Sequence, residues 1–190
     1  MWNFGKCLRY ILRFIASILL TAANYVLAWF VVLFQKDEQL PKWLSWFMTP
    51  DANLTGMGTV LKPNGTIGGG DIGFYERWKN RSPYLRRVAW LYRNPTNYFD
   101  EQVLGFPVNG NDMLTTGDLE IKNRSHAKEG RYFINDLNSD AFEFYYIKRW
   151  SKNRCIRARI GYKIKSFAID KTIGQSQFVF VVNPFMTFEE

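Results

Sequence analysis

The sequence predicts an α+β chain: an N-terminal apolar helix read as transmembrane, then a head of short helices and a C-terminal antiparallel β-sheet. Three observations carry this. Residues 14–34, FIASILLTAANYVLAWFVVLF, hold no charge. Ser82-Pro83 opens a short helical stretch that Asn94-Pro95 closes. From Arg131 onward apolar residues recur at every second position, the period of a strand rather than a helix. The expected organisation is 1–38, a basic amphipathic start with a membrane-anchor helix, and 39–190, a single α+β head domain.

At about 1.5 Å rise per residue the apolar run reaches roughly 30 Å, the thickness of a bilayer's hydrocarbon core. A cleaved signal peptide, a buried helix of a soluble core and burial in a homo-oligomer compete with the span. The unbroken hydrophobicity through Phe34 and the small core available to such a domain favour the span. Lys6, Arg9 and Arg13 precede it, against Lys36 and Lys42 beyond it with Asp37 and Glu38 close by. By the bias of Lys and Arg this keeps the amino terminus cytoplasmic and places the head across the membrane. Lys6, Arg9 and Arg13 also share a helical face opposite Phe4, Leu8, Ile11 and Leu12, a pattern suited to anionic headgroups, or equally a mere topology signal. Ser17, Thr21 and Asn24 form a small, polar stripe of the kind that joins helices in lipid.

The chain has 190 residues, 47% hydrophobic and 17% aromatic, with a net charge of +8. That composition excludes a disordered or fibrous chain, and the basic balance asks for an anionic neighbour. Mean hydropathy is only −0.24, because one apolar segment is joined to a polar remainder. Two cysteines, Cys7 and Cys155, cannot build a disulfide framework and read as free thiols.

Beyond the run, Leu40, Trp43, Leu44 and Phe47 fall at helical spacing behind Pro41, a residue suited to a first turn. Trp43, Trp46 and Phe47 directly after a span fit a membrane-interface belt; a helix capping the head's core fits equally. Residues 49–56 imitate the opening of a calcium loop, but the twelfth position is Lys62 where a glutamate is required, so a plain Asx turn is expected. Pro63-Asn64-Gly65 marks a tight turn and Gly68-Gly69-Gly70 follows; without Gly-Lys-Ser/Thr this is a loop or hairpin tip, not a nucleotide cradle. In the helix after Pro83, Leu85, Val88 and Tyr92 are expected inward, with Arg86, Arg87 and Arg93 on a solvated or phosphate-facing side.

Phe142, Phe144 and Tyr146 alternate with Glu143 and Tyr145. Ile156, Ala158, Ile160, Tyr162 and Ile164 alternate with Arg157, Arg159, Lys163 and Lys165. This predicts a hairpin with a buried apolar face, packed against the middle helix. Its four cations would form an exposed row about 7 Å apart, spaced like the phosphates of a polyanion, with Tyr145 and Trp150 available for stacking. Solubility of an exposed sheet face accounts for them equally. His126 stands alone in a polar loop, and neither a catalytic motif, a metal-ligand spacing nor a cofactor fingerprint is present in the sequence.

Four phrases taken in order, LPKWLSWFMTPD at 40–51, YLRRVAWLYRNP at 84–95, RARIGYKI at 157–164 and FVFVVNPF at 178–185, resemble a family of uncharacterised tailed-bacteriophage proteins classed as a domain of unknown function. The resemblance implies a viral origin and a single domain, and carries no activity or ligand. The resulting expectation is a non-enzymatic phage protein, anchored in the host membrane and binding a partner at the host envelope or in the virion. A nucleic-acid-binding protein using the basic strand, and an enzyme acting on the cell envelope, are the alternatives.

Overall fold

A computed structural model describes residues 4–61 and 67–190 of the chain. The expected tight turn at Pro63-Asn64-Gly65 and Lys62 lie outside the described residues. The chain forms two compact units, Leu12–Phe99 and a second made of the chain up to Ile11 together with Asp100–Glu190.

Helix α1 (Phe4–Val31) opens the chain and tightens into a 3-10 turn at Val32–Phe34. Gly5 is the one glycine in its sequence and no Pro occurs, so no residue interrupts the helix strongly. The helix contributes residues to both units. It ends in a four-residue turn where Lys36 and Gln39 exchange two backbone hydrogen bonds of 2.9 Å. Asp37 and Glu38 occupy left-handed conformations there, with φ of 51° and 61°. Such strain persists only where surrounding contacts hold it. Here the Arg87 guanidinium grips Glu38 with two bonds of 2.8 and 2.7 Å, and the Leu54 N–H donates to the Glu38 carbonyl at 3.0 Å.

A second 3-10 turn, Lys42–Phe47, follows Pro41. Asn53 then makes the anticipated Asx turn, its Oδ1 accepting from the Thr55 and Met57 N–H groups and the Thr55 hydroxyl. Strands β1 (Met57–Leu61) and β2 (Ile67–Gly70) pair antiparallel, so Gly68, Gly69 and Gly70 belong to a strand rather than a loop. Asp71 caps α2 (Ile72–Trp78) by accepting from the Phe74 N–H at 2.8 Å. Helix α3 (Pro83–Arg93) begins with Pro at its first position. Val88 is buried as anticipated, whereas Leu85 is exposed and Trp90 and Leu91 are buried in its place. Tertiary packing on two sides of α3 rotates it away from the three-residue pattern. Helix α4 (Asn97–Gln102) follows.

The first unit's core gathers Ala28, Val31, Val32, Leu40, Leu44, Met48, Leu54, Val88 and Leu91. Ala52, Phe74 and Trp90 form a smaller cluster. Asn24, fully buried, donates its amide to the Leu91 carbonyl at 2.9 Å. That carbonyl lies in the last turn of α3, where helix geometry leaves acceptors without partners. Tyr84 and Tyr92 donate their hydroxyls to the α1 carbonyls of Trp29 and Tyr25 at 2.6 and 2.7 Å. Of the expected stripe Ser17, Thr21 and Asn24, the structure turns Asn24 into its own chain's core, next to Ala28, while Ser17 and Thr21 are half-buried.

In the second unit β3 (Pro107–Asn109) precedes β4 (Met113–Gly117), β5 (Gly130–Asp136), β6 (Phe142–Ser151) and β7 (Arg154–Tyr162). Helix α5 (Lys165–Asp170), β8 (Ile173–Gln175) and β9 (Phe178–Thr187) complete the chain. Five strands form an antiparallel sheet in the order β4-β5-β6-β7-β9, and β3 pairs with β8. The expected strand through Lys165 stops at Tyr162, because Lys165 begins α5.

Register fixes the two faces of the sheet. Tyr132 lies opposite Tyr145, Ile134 opposite Glu143, and Tyr145 opposite Arg159. This face is the buried one, with Tyr132, Ile134, Glu143 and Ile147 all withdrawn from solvent. The apolar face of Phe133, Phe144, Tyr146, Ile156, Ala158 and Ile160 is half-buried, and Phe180 and Val182 on it are exposed. The expected inside and outside are thus reversed. One end of the apolar face is closed where the Tyr10 ring of α1 packs on Phe142 and Phe178 at 5.1 and 5.2 Å. Gly161, at φ 111°, lies tightly against Phe142: a Cβ there would sit 2.1 Å from the Phe142 carbonyl oxygen. Its N–H donates to the Tyr10 hydroxyl at 3.2 Å.

The Glu38–Arg87 pair ties the left-handed turn to α3, and the hydrogen bonds from Arg87 hold the Glu38 carboxyl below its ordinary value of 4.5. A carboxyl lowered by folding stabilises the native state above its unfolded value, and that increment disappears as pH falls through the folded value. Glu38→Gln should lower stability at neutral pH by about 1–3 kcal/mol and flatten the loss of stability on acidification below pH 4.5. Urea melts across that range check both effects.

Candidate functional site

On α1 the exposed residues Leu8, Ile11, Leu12, Ile15, Ile18, Leu19, Ala22, Val26, Trp29, Phe30 and Leu33 recur at steps of three and four. They form one outward stripe, apolar throughout, about 40 Å long at helical rise. Leu19, Val26 and Leu33 keep 65%, 66% and 67% of their surface. The opposite side presents Lys6, Tyr10, Asn24 and Ala28 to the protein. A helix of a water-soluble surface shows the reverse arrangement, with its apolar face inward. The segment Gly5–Phe34 is long and apolar enough to cross a membrane.

The aromatic residues after α1 divide. Trp43 and Trp46 are exposed, with Trp43 edge-on to exposed Phe34 at 5.5 Å and Trp46 stacked on Phe99 at 5.5 Å. Phe47 instead packs against the core with buried Leu44. The expected helical face of Leu40, Trp43, Leu44 and Phe47 is split because the turn is 3-10, at three residues per turn.

The basic start is largely engaged. Lys6 donates to the Ser139 carbonyl at 3.0 Å and lies 3.8 Å from the Asp140 carboxylate, while Arg9 pairs with the same carboxylate through Nε. Arg13 is half-buried on the same helix.

The four strand cations are placed in different settings. Arg159 Nε donates to Glu143 Oε1 at 2.7 Å. Arg157 is half-buried on β7. Lys163 lies beyond β7, bonded to Gln177, and burial pushes its ammonium below the ordinary lysine value. Lys165 opens α5 over the Tyr132 ring at 5.2 Å, and burial lowers it likewise. The strand brings Arg157 and Arg159 to one face, and that face is the covered one.

What the sheet assembles is a buried carboxylate. Glu143, 0% exposed, accepts four hydrogen bonds: Tyr132 hydroxyl and Arg159 on Oε1, and the Ile164 and Lys165 N–H groups on Oε2, all between 2.7 and 2.9 Å. Burial, followed by the Glu143 charge, drives the Tyr132 phenol well above the ordinary tyrosine range. Tyr132 and Tyr145 stack at 5.3 Å, and Arg159 lies over the Tyr145 ring at 5.8 Å. Such a satisfied, enclosed carboxylate fixes the start of α5 on the sheet. Sequence alternation placed Glu143 outside, and only its burial identifies its role.

Shallow grooves of about 400 Å3, lined by Arg131, Phe133 and Phe144, and about 540 Å3, lined by Lys6, Phe106 and Asp140, open on this unit. His126 is exposed in a left-handed loop conformation. Burial raises the Cys155 thiol, which disfavours the reactive thiolate. Among the described residues no three or more His, Cys, Asp or Glu converge on one metal position.

A family model described as a family of unknown function, DUF7338, matches residues 1–189. The chain belongs to DUF7338. The match takes in α1 and the chain after it through Glu189. No curated protein and no solved structure matches it.

Removing one partner of a buried, bonded ion pair costs roughly 3–5 kcal/mol. Arg159→Met should therefore destabilise the protein on that scale, and Glu143→Leu combined with Arg159→Met should recover part of the loss. A double-mutant cycle in urea measures the coupling; zero coupling would return Arg159 to the pool of available surface cations.

Proposed function

We propose that this DUF7338 protein is a non-enzymatic membrane-attached protein, and that α1 lies along one leaflet with its Leu8–Leu33 stripe among the acyl chains. The observation that carries the reading is the reversed amphipathicity of α1: polar atoms bonded inward, an unbroken apolar stripe outward. A helix lying in the interface buries one face, and this one presents a single apolar face of suitable length. Trp43 and Trp46, exposed just past its end, suit the headgroup level.

A single-pass arrangement with a cytoplasmic amino terminus asks more of the same helix. The start of α1 is bonded to Ser139, Asp140, Gly161 and Val179, and its later turns to Leu91 and Tyr92. A span with all of residues 39–190 on one side of the bilayer would break one of these sets. The pairing of Lys6 and Arg9 with Asp140 also weakens the charge bias on which that orientation rests.

The uncovered apolar sheet face supports the second half of the reading, a protein partner at the membrane or in a virion. A tailed-phage origin, with the host cell's membrane as the site of attachment, belongs to the same proposal and rests on the four-phrase resemblance. The nucleic-acid alternative loses its basis in a continuous basic row, since Arg159 is committed to Glu143.

Leu19→Glu, Val26→Glu and Leu33→Glu together test the attachment. Each position is exposed, so the fold should tolerate the changes. Burial of each apolar side chain is worth about 1.5–3 kcal/mol, so the triple variant should move from the membrane pellet to the soluble fraction with an unchanged thermal melt. A folded triple variant that still sediments with membranes would contradict the reading.

A further inference from the structure

We infer that the membrane surface this protein takes is anionic, and that Lys36 and Lys42 at the end of α1 read its phosphate headgroups; the inference rests on the membrane-attachment reading above. Residues 12–99 carry ten Lys and Arg against five Asp and Glu. Three of those five carboxylates are already used: Glu38 by Arg87, Asp71 by Arg93 and Glu76 by Lys79. None of these pairs engages Lys36 or Lys42, and both lysines are exposed. The unit that holds most of the apolar stripe is therefore the unit with the larger surplus of cations, five against three in the rest of the chain.

Position selects these two from the surplus. Lys36 follows Phe34 by two residues and Lys42 directly precedes Trp43, and the Phe34 and Trp43 rings touch edge-on at 5.5 Å. Ammonium groups thus flank an exposed aromatic pair, with apolar rings to enter the acyl boundary and cations to meet headgroup phosphates. The turn between them is tied down by hydrogen bonds. Its left-handed Asp37 and Glu38 are held by the Lys36–Gln39 backbone bonds and by Arg87, so Lys36 is presented without a large ordering cost. Asp37 is exposed in the same turn and offsets part of the charge. Of the cations that sequence spacing offers to headgroups, Lys6 and Arg9 are held by Asp140 and Arg13 is half-buried. Recognition of negative charge passes to the far end of the helix.

The test is sedimentation of the full-length protein with vesicles of phosphatidylcholine alone and of phosphatidylcholine with about a third phosphatidylglycerol, at low and moderate salt. The wild type should partition at least tenfold better onto the anionic vesicles, and the preference should shrink as salt screens it. Near an anionic surface one cation is worth on the order of a fivefold change in partitioning. Lys36→Gln with Lys42→Gln should accordingly lose on the order of tenfold on anionic vesicles and nothing on neutral ones. Equal binding of the wild type to both vesicles overturns the inference and leaves membrane attachment standing. A preference for anionic vesicles that survives the double substitution overturns the assignment to these lysines. Binding to neither vesicle overturns attachment and this inference together.

Discussion

The amide of Asn24 donates to the Leu91 carbonyl at the open end of α3, and the rotation of α1 follows from that bond. A buried amide left without a partner costs one to three kcal/mol or more (roughly, by mutational measure). Once Asn24 is turned inward, Ala28 and Val31 below it enter the core, and Leu19, Val26 and Leu33 can only face out. The helix that looks like a featureless apolar rod in sequence is a two-sided object. Its few polar atoms decide which side is which.

The sheet obeys the same constraint by different means. Glu143 is a charge that cannot be buried unpaired, and four donors from β5, β7 and the start of α5 meet it. Those bonds turn the polar face of β6 and β7 inward, so the aromatic and aliphatic residues of the other face remain half in solvent. In both units a buried polar group, Asn24 in one and Glu143 in the other, is bonded inside while apolar surface is left outside. Soluble monomers rarely leave such surface uncovered, which is why attachment to an apolar phase is the functional reading that the geometry supports best.

Much of the architecture was legible in the sequence. The long apolar helix, the Asx turn at Asn53, the Pro83 helix start and the alternating C-terminal strands each follow from local rules that tertiary packing left intact. The faces were not legible. Period-two alternation separates Phe144 from Glu143 but says nothing of which is covered, and the convention that apolar means inside gave the wrong side. Arg159 read as an exposed cation because its partner Glu143 is sixteen residues away on a neighbouring strand. Lys165 fell on an extrapolated strand because no Gly or Pro separates Tyr162 from the first turn of α5. For the candidate site, the residues of the α1 stripe were visible as an apolar run, whereas its one-sidedness depends on Asn24, Tyr10 and Lys6 finding acceptors far along the chain.

The central claim, that α1 meets lipid along one face only, is tested most directly by single cysteines placed in turn along residues 12–33 of the membrane-bound protein, spin-labelled and read for collision with oxygen and with a water-soluble quencher. A helix lying in the leaflet should give oxygen accessibility that oscillates with a period near 3.6 residues, maximal at Leu19, Val26 and Leu33 and minimal at Asn24 and Ala28, at one shallow depth throughout. Accessibility without that oscillation, with depth increasing to the middle of the segment and decreasing again, would show a lipid-surrounded span and contradict the account.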